Sequence, residues 1–280
     1  MIENTGQSRY QVRAVARALD LLFVLGDLAG PADLTTLARR AGLHPSTAFR
    51  MLETLRTRGL VRSARDGYEL GAATFELGSA FLRGVSVWTN APELAEQLAG
   101  RADETASVGV LDNGEVLYIA IAHGQRELGI QWQPGTRHPA HATALGKAML
   151  AHLPWPEVTA ILARRPLVRL TPRTFTDPAA LRSELAAIAA RGYAVDDEER
   201  LPGVFCIGAP IRDHNGSVVA AISISGPAFR IAERGPDELA RLVVAAAGDA
   251  SRRLGAPEET AAASDPRRSG HEVIARAGVR

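Results

Sequence analysis

Apolar residues recur every three or four positions through most of the chain, and the interruptions of that rhythm divide it into elements. Val12, Val15, Ala16, Leu19, Leu22 and Phe23 form a stripe. It predicts an amphipathic helix that ends near Gly26 and packs beneath the helices that follow. A shorter helix begins after Asp33, whose carboxylate can cap the first N–H groups, and buries Leu34, Leu37, Ala38 and Ala41. Gly42-Leu43 breaks it, and Pro45 suits the first turn of the next helix. There Ala48, Met51, Leu52 and Leu55 share one side, while Ser46, Arg50, Glu53 and Thr57 point the other way, flanked by Thr47 and Thr54. Leu60-Val61 and residues 68–70 then read as two strands around a loop over 62–67.

Residues 71–90 predict one helix with a wide apolar face of Phe75, Leu77, Phe81, Leu82, Val85 and Trp88. Such a face either caps its own domain or pairs with a second copy, and the connecting role is the favoured reading. Beyond Pro92 the pattern alternates between periods of two and 3.6. Helices are expected over 93–105, 143–152, 177–190 and 236–254, and strands over 106–111, 116–122, 128–132, 193–196, 204–211 and 218–225. Asp112-Asn113-Gly114 and Asp213-His214-Asn215-Gly216 are hairpin turns. The order predicts an α+β domain, an antiparallel sheet with helices on its faces. The polar start, residues 1–9, and the tail over 257–280, rich in Ala, Ser, Pro and charge, are expected to be disordered.

Composition narrows the possibilities only locally. The 280 residues carry a formal net charge of +1, so any nucleic-acid footprint has to be confined to one region. Residues 43–65 supply it, with Arg50, Arg56, Arg58, Arg62 and Arg65 against Glu53 alone. Short hydroxyls and an Arg near the start of a second helix are what a major groove needs. Pro45, Ser46, Thr47 and Arg50 are therefore the expected groove-side residues, with Arg62 and Arg65 on the backbone or minor groove. A small interaction module with solvated arginines is the competing reading. Cys206 is the single cysteine, which excludes an intramolecular disulfide and a zinc finger and suggests a reducing cytoplasm. No apolar run approaches the ~20 residues of a membrane span, and the N-terminus lacks a signal-peptide core.

Four segments of the second domain could carry chemistry. Thr143-Ala144-Leu145-Gly146-Lys147, small residues at a helix start, either forms an anion site or is an ordinary capped helix. In the acidic run 196–199, Asp196 lies at a strand end, where it can turn inward. Cys206 sits in an apolar strand, as a small hydrophobe or, with a base beside it, a nucleophile. Ser223 and Ser225 share one strand face, which is solvent or a pocket. His138 and His141 lack the further ligands of a metal site, and no cofactor is expected.

Taken together, the helix-turn-helix ending in GYELG, then HPAHATALGKAML, GYAVDDEERLPGVFCIGAP and AAISISGPAFRI, resemble the IclR family of bacterial transcriptional regulators over roughly residues 10–256. The resemblance implies an N-terminal winged helix-turn-helix (10–70), a linker helix (71–90) and a GAF-like α/β effector-binding domain (91–256). It implies dimers or dimers of dimers on palindromic double-stranded operators, repressing or activating in answer to small metabolites, often carboxylates or aromatic acids. Carried over by position, the effector contacts fall on Ala144, Leu145, Asp196, Cys206, Ser223 and Ser225, and the helix-start reading adds Thr143. Leu145 is bulkier than the residue a carboxylate-binding member carries there. The rival readings are a hydrolase or transferase using Cys206 or the Thr143/Lys147 segment, and a redox sensor switched at Cys206.

Overall fold

A computed structural model of the protein describes residues 12–28, 30–83, 86–126, 129–130 and 132–257. Of the ends expected to be disordered, 1–9 and 257–280, all but Pro257 lie outside the described residues. The chain divides into two compact units, residues 1–84 and 85–280.

In the first unit, helices α1 (Arg13–Gly26), α2 (Leu34–Arg40) and α3 (Pro45–Thr57) precede a hairpin of β1 (Val61–Ala64) and β2 (Gly67–Leu70) and helix α4 (Ala72–Arg83). Asp33 accepts the Thr36 N–H at 2.9 Å and so starts α2. The turn into α3 needs φ +64° at Gly42, a left-handed value that a side chain disfavours. Pro45 then opens α3 with His44 as its N-cap. Leu21, Leu25, Leu37, Ala38, Ala48, Leu52, Leu55 and Val61 form the core. The hairpin closes more tightly than the expected 62–67 loop: Ala64 pairs with Gly67, leaving only Arg65 and Asp66 at the tip. Ala32 and Tyr68 exchange two backbone hydrogen bonds of 2.9 Å, which fasten the loop before α2 to the wing.

The α1 stripe requires a correction. Val12, Val15, Leu19 and Phe23 are 47–67% exposed, and the core takes Leu21 and Leu25 instead. The helix carries two apolar stripes about 120° apart at ~100° per residue. Periodicity finds both but does not say which one meets α3.

The second unit begins with α5 (Ser86–Ala102) and continues through β3 (Thr105–Asp112), β4 (Glu115–Ala122), β5 (Arg137–Pro139), α6 (Ala144–Leu150), α7 (Trp155–Arg164), α8 (Pro178–Arg191), β6 (Ala194–Asp197), β7 (Val204–Arg212), β8 (Val218–Pro227), α9 (Ala228–Arg234) and α10 (Pro236–Arg253). The six strands make one sheet in the order β5-β4-β3-β8-β7-β6, every neighbour antiparallel. One face is dry: Ala106, Val108, Ile207, Ala209, Ile222 and Ile224 pack with Leu94, Leu98, Val243 and Ala247 of α5 and α10. The other face carries α6 and α8 through Leu145, Met149, Leu181 and Ile188.

Three expectations fail here. Within the expected helix over 71–90, residues 72–83 and 86–90 are helical and 84–85 lie outside the described residues, but Pro92 lies inside α5 rather than before a new helix. Proline forgoes one N–H there, but Ala91, Leu94, Ala95, Leu98, Ala99 and Ala102 bury against the sheet and carry the helix through. The side chains of Phe81, Leu82, Val85 and Trp88, part of the proposed apolar face, lie outside the described residues. No strand is formed by the described residues of 128–132, and the edge strand is β5, three residues long, paired with Glu115–Leu117. Helices α7 and α9 went unrecognised. Pro154 and Pro156, which flank Trp155 at the start of α7, read as loop but are tolerated in a first turn.

Candidate functional site

In the first unit, α3 turns Ser46 and Arg50 to solvent while Ala48, Leu52 and Leu55 are buried; Thr47 is half-buried. Pro45 sits at the helix start, and the hydroxyl of Ser46 lies 2.8 Å from His44 Nδ1. Of the five arginines of the basic segment, Arg56 pairs with Glu53 at 2.7 Å and Arg62 with Glu69 at 3.2 Å. Among the described residues, no carboxylate pairs with Arg50, Arg58 or Arg65. Two of these unpaired cations stand on the exposed helix face and the wing tip. Phe49, 47% exposed beside Arg50, is an apolar group on that surface which the sequence reading passed over.

In the second unit, alternate residues of neighbouring strands form two polar rows on the α6 face. Thr105, Ser225, Cys206 and Asp196 lie opposite one another across β3, β8, β7 and β6; Ser107, Ser223 and Gly208 make the second row. At Gly208 a Cβ would stand 3.0–3.1 Å from the backbone of Ala144 and Leu145, so glycine lets the start of α6 rest on the sheet. Thr143 caps that helix, its hydroxyl accepting the Gly146 N–H at 3.1 Å. The N–H groups of Ala144 and Leu145 belong to the first turn, which has no intrahelical acceptors for them.

These elements border a cleft lined by Thr143, Ala144, Leu145, Asp196, Cys206, Ser223 and Ser225. Every expected effector contact thus borders one space, although Thr143 and Ser225 are 82 residues apart in the chain. Sequence reading missed Tyr118, Trp132, Arg200, Leu201 and Val204, which complete the wall. For Arg200 a signal existed, a lone cation after four acids.

Charge in this region is concentrated and largely buried. Asp196 is 2% exposed and accepts the Glu199 N–H at 2.8 Å and the Arg200 N–H at 3.3 Å. Burial raises its carboxyl to about 6, against the opposing pull of Lys147 and the two N–H groups. Lys147 of α6 is fully buried, pairs with Glu199, and lies 5.0 Å from the Phe175 ring centroid. Burial lifts Glu199 to about 7, with Lys147 pulling it back. Glu199 Oε2 has no partner among the described residues. Burial, and then Asp196 beside it, push the Cys206 thiol up. His141 donates to the Val168 carbonyl at 3.1 Å.

Comparison with known proteins agrees with these two units. Residues 14–65 match the IclR helix-turn-helix domain, and residues 79–252 match the C-terminal domain of bacterial transcriptional regulator IclR. The HTH-type transcriptional regulator BhcR of Paracoccus denitrificans is 39% identical, covering 86% of this chain and 86% of its own. The transcriptional repressor IclR of Escherichia coli is 34% identical over 90% of this chain and 93% of its own. Among solved structures, an IclR homolog from Microbacterium hydrocarbonoxydans complexed with 4-hydroxybenzoate superposes with a TM-score of 0.75 at 27% identity, covering 86% of this chain and 98% of that one.

Proposed function

The chain belongs to the IclR family of bacterial transcriptional regulators, and we propose that it is a ligand-responsive regulator whose second unit binds a small organic acid and thereby changes operator affinity. The observation that carries this reading is the convergence of four distant segments on one cleft, in a chain whose other unit exposes an unpaired arginine on a helix-turn-helix. A ligand carboxylate meets the N–H groups of Ala144 and Leu145 and the hydroxyls of Ser223 and Ser225, with Thr143, Asp196 and Cys206 completing the surround. The complex of a family neighbour with an aromatic acid supports an acid as the ligand class.

On the DNA side, Ser46, Thr47 and Arg50 read base edges with Pro45 at the helix start, Phe49 offers apolar surface to a thymine methyl, and Arg62 and Arg65 contact the backbone or minor groove. Arg62 has to exchange Glu69 for phosphate to do so. The protein acts as a dimer or dimer of dimers on a palindromic operator, with 10–70 as reader, 71–90 as connection and 91–256 as sensor. The exposed stripe of Val12, Val15, Leu19 and Phe23, with Phe75 and Leu77 of α4 exposed by 78% and 64%, supports self-association through this region. Cys206 serves as pocket wall: a nucleophile or redox switch needs a lowered thiol pKa, and this one is raised.

The test is a gel shift and footprint on DNA upstream of the protein's own gene at low salt. Specific retention is expected, weakened in Arg50→Ala by ~1–3 kcal/mol with relaxed preference at one operator position. Absence of any specific complex overturns the assignment.

A further inference from the structure

One wall of the cleft holds a cation in an unusual way. Arg200 lines the space, and burial lowers its pKa. Its guanidinium lies 4.2 Å from the centroid of Trp132 and donates to His138 Nδ1 at 2.9 Å. His138 is itself fixed edge-on between Tyr118 and Trp132, at 5.1 and 5.0 Å. Among the described residues, no carboxylate lies within ion-pair distance of Arg200. Asp196 uses one oxygen on the backbone N–H groups of Glu199 and Arg200, and the Glu199 carboxylate is taken up by Lys147.

A carboxylate partner would hold Arg200 in place and also quench it. A neutral imidazole and an indole face hold it without quenching, because both are uncharged. His138 stays neutral, its pKa brought down to about 4 by burial and by Arg200 itself. The arginine is thus positioned with most of its five donors left over, on a cleft also lined by the start of α6, with its first-turn N–H groups, and by Ser223 and Ser225. Resting on the reading of this cleft as the effector site, we propose that Arg200, laid on Trp132 and held by His138, is a second anion subsite, and that the effector is a small dicarboxylate gripped at both ends. Tyr118, Leu145 and Val204 also line the cleft and offer apolar surface to a methylene or planar spacer.

The experiment is isothermal titration of the full-length protein with acids matched in carbon number: butyrate against succinate, valerate against glutarate, hexanoate against adipate. At least one diacid is expected to bind about tenfold to a hundredfold tighter than its monoacid, the range of a charge-assisted hydrogen bond. Arg200→Gln should bring that diacid down to the monoacid's affinity, and Arg200→Lys, which keeps the charge but not the fork, should retain part of the preference. Circular dichroism and operator binding without ligand confirm that the variants are folded. Monoacids binding as tightly as diacids across the series, or Arg200→Gln weakening both by the same factor, overturns the second subsite alone. Failure of both series to bind overturns the acid-pocket reading and the subsite with it.

Discussion

On β8, Ile222 and Ile224 turn into a dry layer beneath α5 and α10, while their immediate neighbours Ser223 and Ser225 turn toward the cleft beneath α6. The same alternation runs through β7, where Ile207 and Ala209 face one way and Cys206 and Gly208 the other, and through β3, with Ala106 and Val108 opposite Thr105 and Ser107. One face is closed by aliphatic packing. The other tolerates hydroxyls, a buried carboxylate and a buried ion pair. The difference teaches that one set of strands can supply rigidity and recognition together, because a period of two sends each requirement to its own side. Polar groups out of water cost stability unless partnered, so the recognition face is the one where a ligand has something to contribute.

The largest effect that separates the faces is expected at Lys147. Its truncation in Lys147→Ala leaves Glu199 buried without its cation, and urea unfolding should register a loss of about 3–5 kcal/mol. Combining Lys147→Met with Glu199→Leu should recover most of it, because the pair is then replaced by packing. A loss that persists in the double variant would mean that the pair orients the α6 start in a way packing does not reproduce. Next in size, Ile222→Ala on the dry face should cost about 2–5 kcal/mol through its cavity, with effector binding intact in the protein that remains folded. Ser223→Ala combined with Ser225→Ala should do the reverse. Unfolding should shift by only ~1–2 kcal/mol, while the effector no longer alters operator binding. Loss of ligand binding in folded Ile222→Ala would show that the faces are coupled rather than independent.

How much of this was legible in the chain follows from the range of each signal. The helix-turn-helix was readable because its instructions are local: the Asp33 cap, Gly42 at the turn, Pro45 at N1 and a single inward stripe on α3. On α1 the reading chose the wrong one of two stripes, since the arbiter is contact with residues far along the chain. The serines were assigned to one strand face by spacing alone, yet whether that face meets solvent or ligand depends on α6 lying across Gly208. Cys206 and Asp196 stood out locally but became ligand contacts only through family resemblance, and their juxtaposition with Ser225 arises from register across three strands. Trp132 and Tyr118 were invisible for the same reason, and Arg200 showed only as a lone cation after four acids. Their meeting joins β4, the segment after it and the loop after β6, which no spacing rule connects.

The finest distinction between the two faces concerns protons, since only the recognition face carries acids held near neutrality. Asp196 rises from an ordinary 3.8 to about 6 on folding, chiefly through burial. A raised acid binds more protons in the folded state than in the unfolded chain, so its contribution is fully present below pH ~4 and is lost as pH climbs through 6. Glu199, lifted from 4.5 to about 7, acts in the same direction over a slightly higher window. Thermal stability should therefore decline between pH 4 and pH 7 from these two groups. Asp196→Asn keeps an acceptor for the Glu199 and Arg200 N–H groups but removes the ionisation, so it should flatten the lower part of that decline and leave the part due to Glu199. A bound carboxylate beside Asp196 favours its protonated form further, which makes effector affinity in the wild type rise as pH falls through about 6. In Asp196→Asn that rise should vanish. Melting curves and titrations with the same acid at pH 5.5 and 7.5 read both effects, and an undiminished pH dependence of affinity in the variant would remove Asp196 from the ligand's surround.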